Sequence, residues 1–138
     1  MYPLELVKPL AKDLTDFGFK GLNTAAEVEE AMENAKGTFL LVVNSVCGCA
    51  AANARPGAKL SLTGNKKPDY LFTVFAGVDR EATEKAREYL LPYPPSSPAI
   101  ALFKDGQLVH MLERRHIEGN TAHAIAQNLA EAYERFCR

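Results

Sequence analysis

Two of the chain's three cysteines, Cys47 and Cys49, stand one residue apart with only Gly48 between them. Thiols at that spacing can exchange disulfides, clip a metal ion, or simply fill space as small apolar groups. The flanking sequence favours exchange. The pair follows the apolar run "FLLVVN" (39–44) and precedes the alanine-rich "AAANARPGAKLSL" (50–62), so it falls where a buried strand hands over to a helix. A helix N-terminus offers unpaired N–H groups and the positive end of the peptide dipoles, both of which stabilise a thiolate. Cys47, in the strand-exit turn, is expected to be the more exposed and more acidic sulfur, with Cys49 near the first helical turn. Gly48 admits a backbone angle closed to other residues and leaves room for a bulky substrate above the sulfur.

The short spacing has its own consequence. A disulfide needs Cα atoms about 4.4–6.8 Å apart. Residues i and i+2 meet this only in a bent, very small ring, and strain in such a ring raises the reduction potential. The pair is therefore expected to be a weak reductant, or a good disulfide donor, compared with a strongly reducing dithiol. Around it, Asn44 and Ser45 are expected to support the strand-exit turn. Arg55, a turn or two along the helix, could pair with a carboxylate of a small thiol or act structurally near Pro56. His116, after two arginines and before a turn, could help bind an anionic thiol, but solvation of a loop is the expected role.

Composition narrows the classes. A formal net charge of -1, with no basic run beyond the doublets Lys66-Lys67 and Arg114-Arg115, gives no footprint for nucleic acid or a membrane surface. Solvated faces account for the doublets. The opening "MYPLELVKPLAKDL" lacks the apolar core of a signal peptide, and a cytoplasmic location is the expectation. In that reducing compartment paired cysteines point to catalysis, redox sensing or metal binding rather than to a structural bridge.

The elements that position the cysteines can be read in order. Residues 3–16 have a helical spacing loosened by Pro9, and "TAAEVEEAMENAKG" (24–37) opens with a capping box, Thr24 reaching to Glu27. "TFLLVVN" (38–44) is too uniformly apolar for a half-exposed strand and reads as a central parallel strand covered on both faces. The helix after the cysteines is expected to kink or break at Pro56-Gly57. A second buried strand (69–77) leads to a charged helix capped by Asp79 and running to about Leu91. After the rigid "PYPPSSP", "AIALF" and "QLVHML" form a hairpin about "KDG". A final helix carries Ala122, Ile125, Ala126, Leu129, Tyr133 and Phe136 on one stripe, capped by Asn120 or Thr121.

This order specifies one α/β domain, residues 1–138, with an N-terminal helical extension and a four-stranded mixed sheet covered by helices on both faces. The layout resembles a thioredoxin-like fold, in which the reactive cysteine sits where the first core strand meets its helix. In that fold a cis-proline opens the strand after the long crossover, and Pro98 stands at the matching place. A cis bond there would aim the Ser97 backbone at an incoming extended peptide or thiol.

The segments "VVNSVCGCAAANARP", "FTVFAGVDREATEKAREYL", "YPPSSPAIALFKDGQLVHM" and "HIEGNTAHAIAQNL" together resemble the bacilliredoxin family, thioredoxin-like bacterial proteins with a CGC site. The resemblance implies a thiol–disulfide oxidoreductase acting on client proteins whose cysteines are capped by bacillithiol, a low-molecular-weight thiol, with weak disulfide isomerase activity besides. It implies Cys47 as nucleophile, Cys49 as the resolving partner, and Ser97-Pro98 as the serine–proline at the cis position. A recycling thiol or flavin reductase is the implied partner, and no bound cofactor is needed. The rival from another class is a thiolate zinc or copper site, completed by Cys137 with His110, His116 or His123. Outside such a site Cys137 reads as a semi-buried spectator.

Overall fold

The computed structural model describes residues 3–46 and 48–138. Its elements are α1 (Leu4–Thr15), β1 (Lys20–Gly21), α2 (Ala25–Asn34), β2 (Thr38–Asn44), α3 (Gly48–Ser61), β3 (Tyr70–Phe75), α4 (Arg80–Tyr89), β4 (Ala99–Lys104), β5 (Gln107–Leu112), α5 (Arg114–Ile117) and α6 (Ala122–Phe136). The strands form one sheet in the order β1-β3-β2-β4-β5. β2 lies at its centre, parallel to β3 and antiparallel to β4.

All seven residues of β2 are buried, because the sheet is covered on both sides. Leu40 and Val42 face a core built with Ala50, Ala54 and Ala58 of α3 and Ile125, Leu129 and Tyr133 of α6. Phe39, Leu41 and Val43 face the opposite core, with Val28 and Met32 of α2 and Ala82 and Ala86 of α4. Alternate side chains of an extended strand point to opposite faces, so an uninterrupted apolar run is what a doubly covered strand requires.

Local signals act as expected at several ends. Thr24 and Glu27 form a reciprocal capping box, and the Thr121 side chain caps α6. The β4–β5 turn is the pair Asp105 and Gly106, both at positive φ (50° and 81°), the geometry that joins two antiparallel strands without splaying them.

Other readings are corrected. The sheet has five strands rather than four. β1 is two residues long and pairs parallel with β3 through Lys20↔Phe72 and Gly21↔Thr73, too short to carry an alternating pattern. It is held by Leu22, which is fully buried and whose N–H donates to the Thr73 carbonyl. The short helix α5 is likewise additional. α3 continues through Pro56 to Ser61 without a break. Gly57 serves packing instead: a Cβ there would lie 2.7 Å from Ile125 Cγ2, so glycine lets α3 approach α6 closely. Asp79 occupies the N-cap position of α4, but its side chain caps no helical N–H.

Candidate active site at the strand-exit turn

The end of β2 and the start of α3 are joined by residues 45–47. Cys47, the expected nucleophile, lies outside the described residues. Gly48 opens α3 at φ +53°, and a Cβ there would meet nothing within 4 Å. The backbone thus demands glycine on conformational grounds, and the space above it is open. Cys49, in the first turn of α3, is exposed.

Beneath this surface runs a buried polar clamp. Asn44 and Ser45 are each 2% exposed. Asn44 Oδ1 accepts from the Ser45 N–H (2.8 Å) and from Arg55 Nη1 (3.1 Å), while Asn44 Nδ2 donates to the Leu10 carbonyl of α1 (3.0 Å). Arg55 Nη1 also donates to the Ser45 carbonyl at 2.8 Å, and its Nε lies 3.8 Å from Asp13 Oδ2. Lys59 closes on the other oxygen of the same carboxylate. Burial pushes the Arg55 pKa down, and Asp13 opposes that shift. A buried guanidinium stays ionised when its charge is matched and its donors are satisfied, and this one is held so.

Arg55 is therefore turned inward, 8% exposed, with these donors committed to the turn that carries the CGC motif. The carboxylate it meets here is that of Asp13 in this chain. Asp13 and Leu10 were invisible to motif reading. They lie more than thirty residues before the cysteines, and nothing local marks an aspartate on α1 as the counter-ion of a residue on α3.

Ser97 and Pro98 approach from the other side. β2 and β4 pair antiparallel up to Val43↔Ala99, so Pro98 falls one step further, level with Asn44 at the mouth of the exit turn. The Ser97–Pro98 peptide bond is cis, as is Leu91–Pro92, which the sequence did not single out. Arg114, read from sequence as solvated surface, donates through Nη1 to the Ser97 carbonyl (3.3 Å) and through its backbone N–H to Ser96 Oγ (3.4 Å). α5 thus braces the proline loop.

The metal reading fails on placement. Cys137, the C-cap of α6, is 5% exposed, with its thiol beside Thr38 at the opposite end of β2 from the CGC motif. Seven strand residues separate the two, roughly 20 Å. Among the described residues no three His, Cys, Asp or Glu side chains gather as metal ligands would.

Solved structures share this architecture. Thioredoxin of Fasciola hepatica superposes with a TM-score of 0.56 at 19% identity, over 86% of this chain and 99% of that one. Mitochondrial thioredoxin 3 of Saccharomyces cerevisiae gives 0.58 at 15% identity, over 89% and 98%. Fold and relatives together define a thioredoxin-like thiol–disulfide oxidoreductase. The profile of a family described as disulphide isomerase matches residues 2–137. Bacilliredoxins of Cytophaga hutchinsonii and Halalkalibacterium halodurans are 58% and 54% identical, covering 97% and 99% of this chain and 98% and 94% of their own. The chain belongs to the bacilliredoxin family.

Proposed function

We propose that the protein removes bacillithiol, or a similar small thiol, from mixed disulfides on client proteins. The Cys47 thiolate attacks the small-thiol sulfur, the client sulfur leaves as a thiolate and takes up a proton, and the small thiol is now disulfide-bonded to Cys47. The Cys49 thiolate then attacks the Cys47 sulfur. That step expels the small thiol and forms a Cys47–Cys49 disulfide, which two electrons from a recycling thiol or flavin reductase reopen. Gly48, Ser97 and Pro98 border the incoming disulfide. Arg55, Asn44 and Ser45 are positioning residues that hold the turn. Work in the cytoplasm and weak disulfide isomerase activity belong to the same reading.

One observation carries it. An exposed cysteine and an open glycine stand at the first turn of α3, directly after a strand exit fastened from below by Asn44 and Arg55. Preorganised support beneath an accessible sulfur is what repeated exchange needs, since the loop must keep its geometry while the sulfur changes partners. In addition, among the described residues no helix is long and apolar enough to cross a membrane.

The test is intact mass spectrometry of protein mixed with a bacillithiol-capped client. Cys49→Ala is expected to accumulate the bacillithiol adduct on Cys47, while Cys47→Ser leaves the client capped. Undiminished release by Cys47→Ser would remove that residue from the nucleophilic role.

A further inference from the structure

A cavity of about 510 Å³ opens between β5, α5 and the first turns of α6, within the usual size for a small-molecule site. Its polar lining is Arg115, His116, His110, Asn120 and Asn128. None of the chain's seventeen carboxylate side chains lines it, in a protein whose acids outnumber its lysines and arginines. His110 Nε2 and Asn128 Oδ1 are bonded to each other at 2.7 Å and Asn120 Nδ2 donates to the His116 carbonyl at 2.6 Å, so Arg115, His116 and the Asn128 amide N–H groups are the donors left for whatever enters. His116 Nδ1 accepts the Glu113 N–H at 3.0 Å, which leaves the ring hydrogen on Nε2. Arg115 is held by Glu113, a buried carboxylate 3.2 Å from Nη2. That pairing engages Nε and Nη2 and offsets the net charge, so attraction rests on the guanidinium N–H groups that remain, chiefly those on Nη1.

Two contacts tie this cavity to the cysteines. Asn53 Nδ2 on α3 donates to the Asn120 carbonyl at 3.0 Å. Asn53 lies four residues after Cys49, hence on the same helical face and about 6 Å along the axis. From the other side, α5 supplies Arg115 and His116 to the cavity and Arg114 to the Ser97 carbonyl. The cavity's rim at Asn120 is thus bonded to a residue one helical turn after Cys49, and α5 links the cavity to the proline loop.

We infer that this cavity holds the carboxylate-bearing part of the small thiol while its sulfur is exchanged at the CGC motif. This rests on the decapping reading above and adds the subsite that selects the cap. A donor-lined pocket favours an anionic cap over a neutral one whatever client carries it.

The test compares one client capped either with bacillithiol or with uncharged 2-mercaptoethanol, using wild type, Arg115→Gln, Ala124→Glu and Ala124→Lys. Ala124 is exposed on α6 and lines the cavity, so its two variants change the charge there without disturbing the core. Arg115→Gln and Ala124→Glu should each lower kcat/KM for the bacillithiol-capped client by roughly fivefold, and Ala124→Lys should raise it, as expected for partly exposed charges. All three should act on the 2-mercaptoethanol-capped client like wild type. Equal effects on both caps, or none on either, would overturn the subsite, as would sensitivity that follows acidic residues around the client cysteine instead of the cap. A second arm records NMR shifts of the Asn120 and Asn128 side-chain amides during titration with S-methyl bacillithiol, which cannot undergo exchange. Shifts that Ala124→Glu weakens support the subsite, and their absence at millimolar ligand counts against it. Wild type that binds this probe yet releases neither cap would sink the decapping reading and leave the subsite standing.

Discussion

The two ends of β2 treat sulfur in opposite ways. At its C-terminal end the chain leads into the first turn of α3, with Cys49 open to solvent and a polar clamp of Asn44, Arg55 and Asp13 underneath. At its N-terminal end Cys137 is enclosed beside Thr38, and burial pushes its thiol pKa up. Tyr133 lies there too, fully buried, its hydroxyl 2.9 Å from Ser61 Oγ and its pKa raised by burial. Thr38 is in turn fastened to Asp69, whose Oδ2 accepts from the Thr38 N–H at 2.9 Å. The same element is thus moored by hydrogen bonds at both ends, and the chemistry differs because only one end leaves its sulfur uncovered. Reactivity follows access and local electrostatics, not the presence of a thiol.

The sharpest way to break this contrast is alkylation. Iodoacetamide should modify Cys49 at least ~100-fold faster than Cys137, because reaching the latter requires local opening. Peptide mapping over time measures both, and comparable rates would erase the distinction between the ends. The clamp comes next. Arg55→Met removes a donor from the Ser45 carbonyl and from Asn44 and leaves Asp13 with Lys59 alone. It should cost about 2–3 kcal/mol in denaturant unfolding and lower turnover as well. Turnover unchanged in a destabilised but folded variant would confine Arg55 to stability.

A smaller effect lies between the ends, where α3 and α6 pack together. Gly57→Ala should cost about 2 kcal/mol, since the new methyl overlaps the buried Ile125 side chain. Combining it with Ile125→Ala should cost less than the sum of the two single losses. The least effect concerns Asp79, near the site end of the sheet, whose carboxyl pKa is raised chiefly by burial, with the Asn23 hydrogen bond opposing. A raised folded pKa means that the folded state binds this proton more tightly than the unfolded chain does. Stability from this group is thus greatest below the ordinary carboxylate range and declines as pH rises through the raised value. Asp79→Asn should flatten that part of a Tm-versus-pH series, and an unchanged slope would show the group to be unperturbed.

Much of this was written locally. The all-apolar 38–44 required a strand buried on both faces. Thr24 with Glu27 marked a helix start, "KDG" marked a hairpin, and the change from an apolar run to an alanine-rich one marked the strand-to-helix junction beside the two cysteines. Each of these signals depends on neighbours within a turn or a strand, which a chain carries in its order of residues.

What the sequence left open are pairings between distant residues. Gly57 looked like a helix breaker until Ile125 was placed against it, and nothing near Arg55 in the chain announced its contacts with Asp13, Asn44 and Ser45. Arg114 read as solvent-facing until the Ser97 carbonyl lay beside it. A two-residue strand and a one-turn helix have too few residues to show a period, and only their neighbours stabilise them. Tertiary structure decided these points because burial and hydrogen-bond satisfaction are properties of an assembled environment, and no single segment contains its own environment.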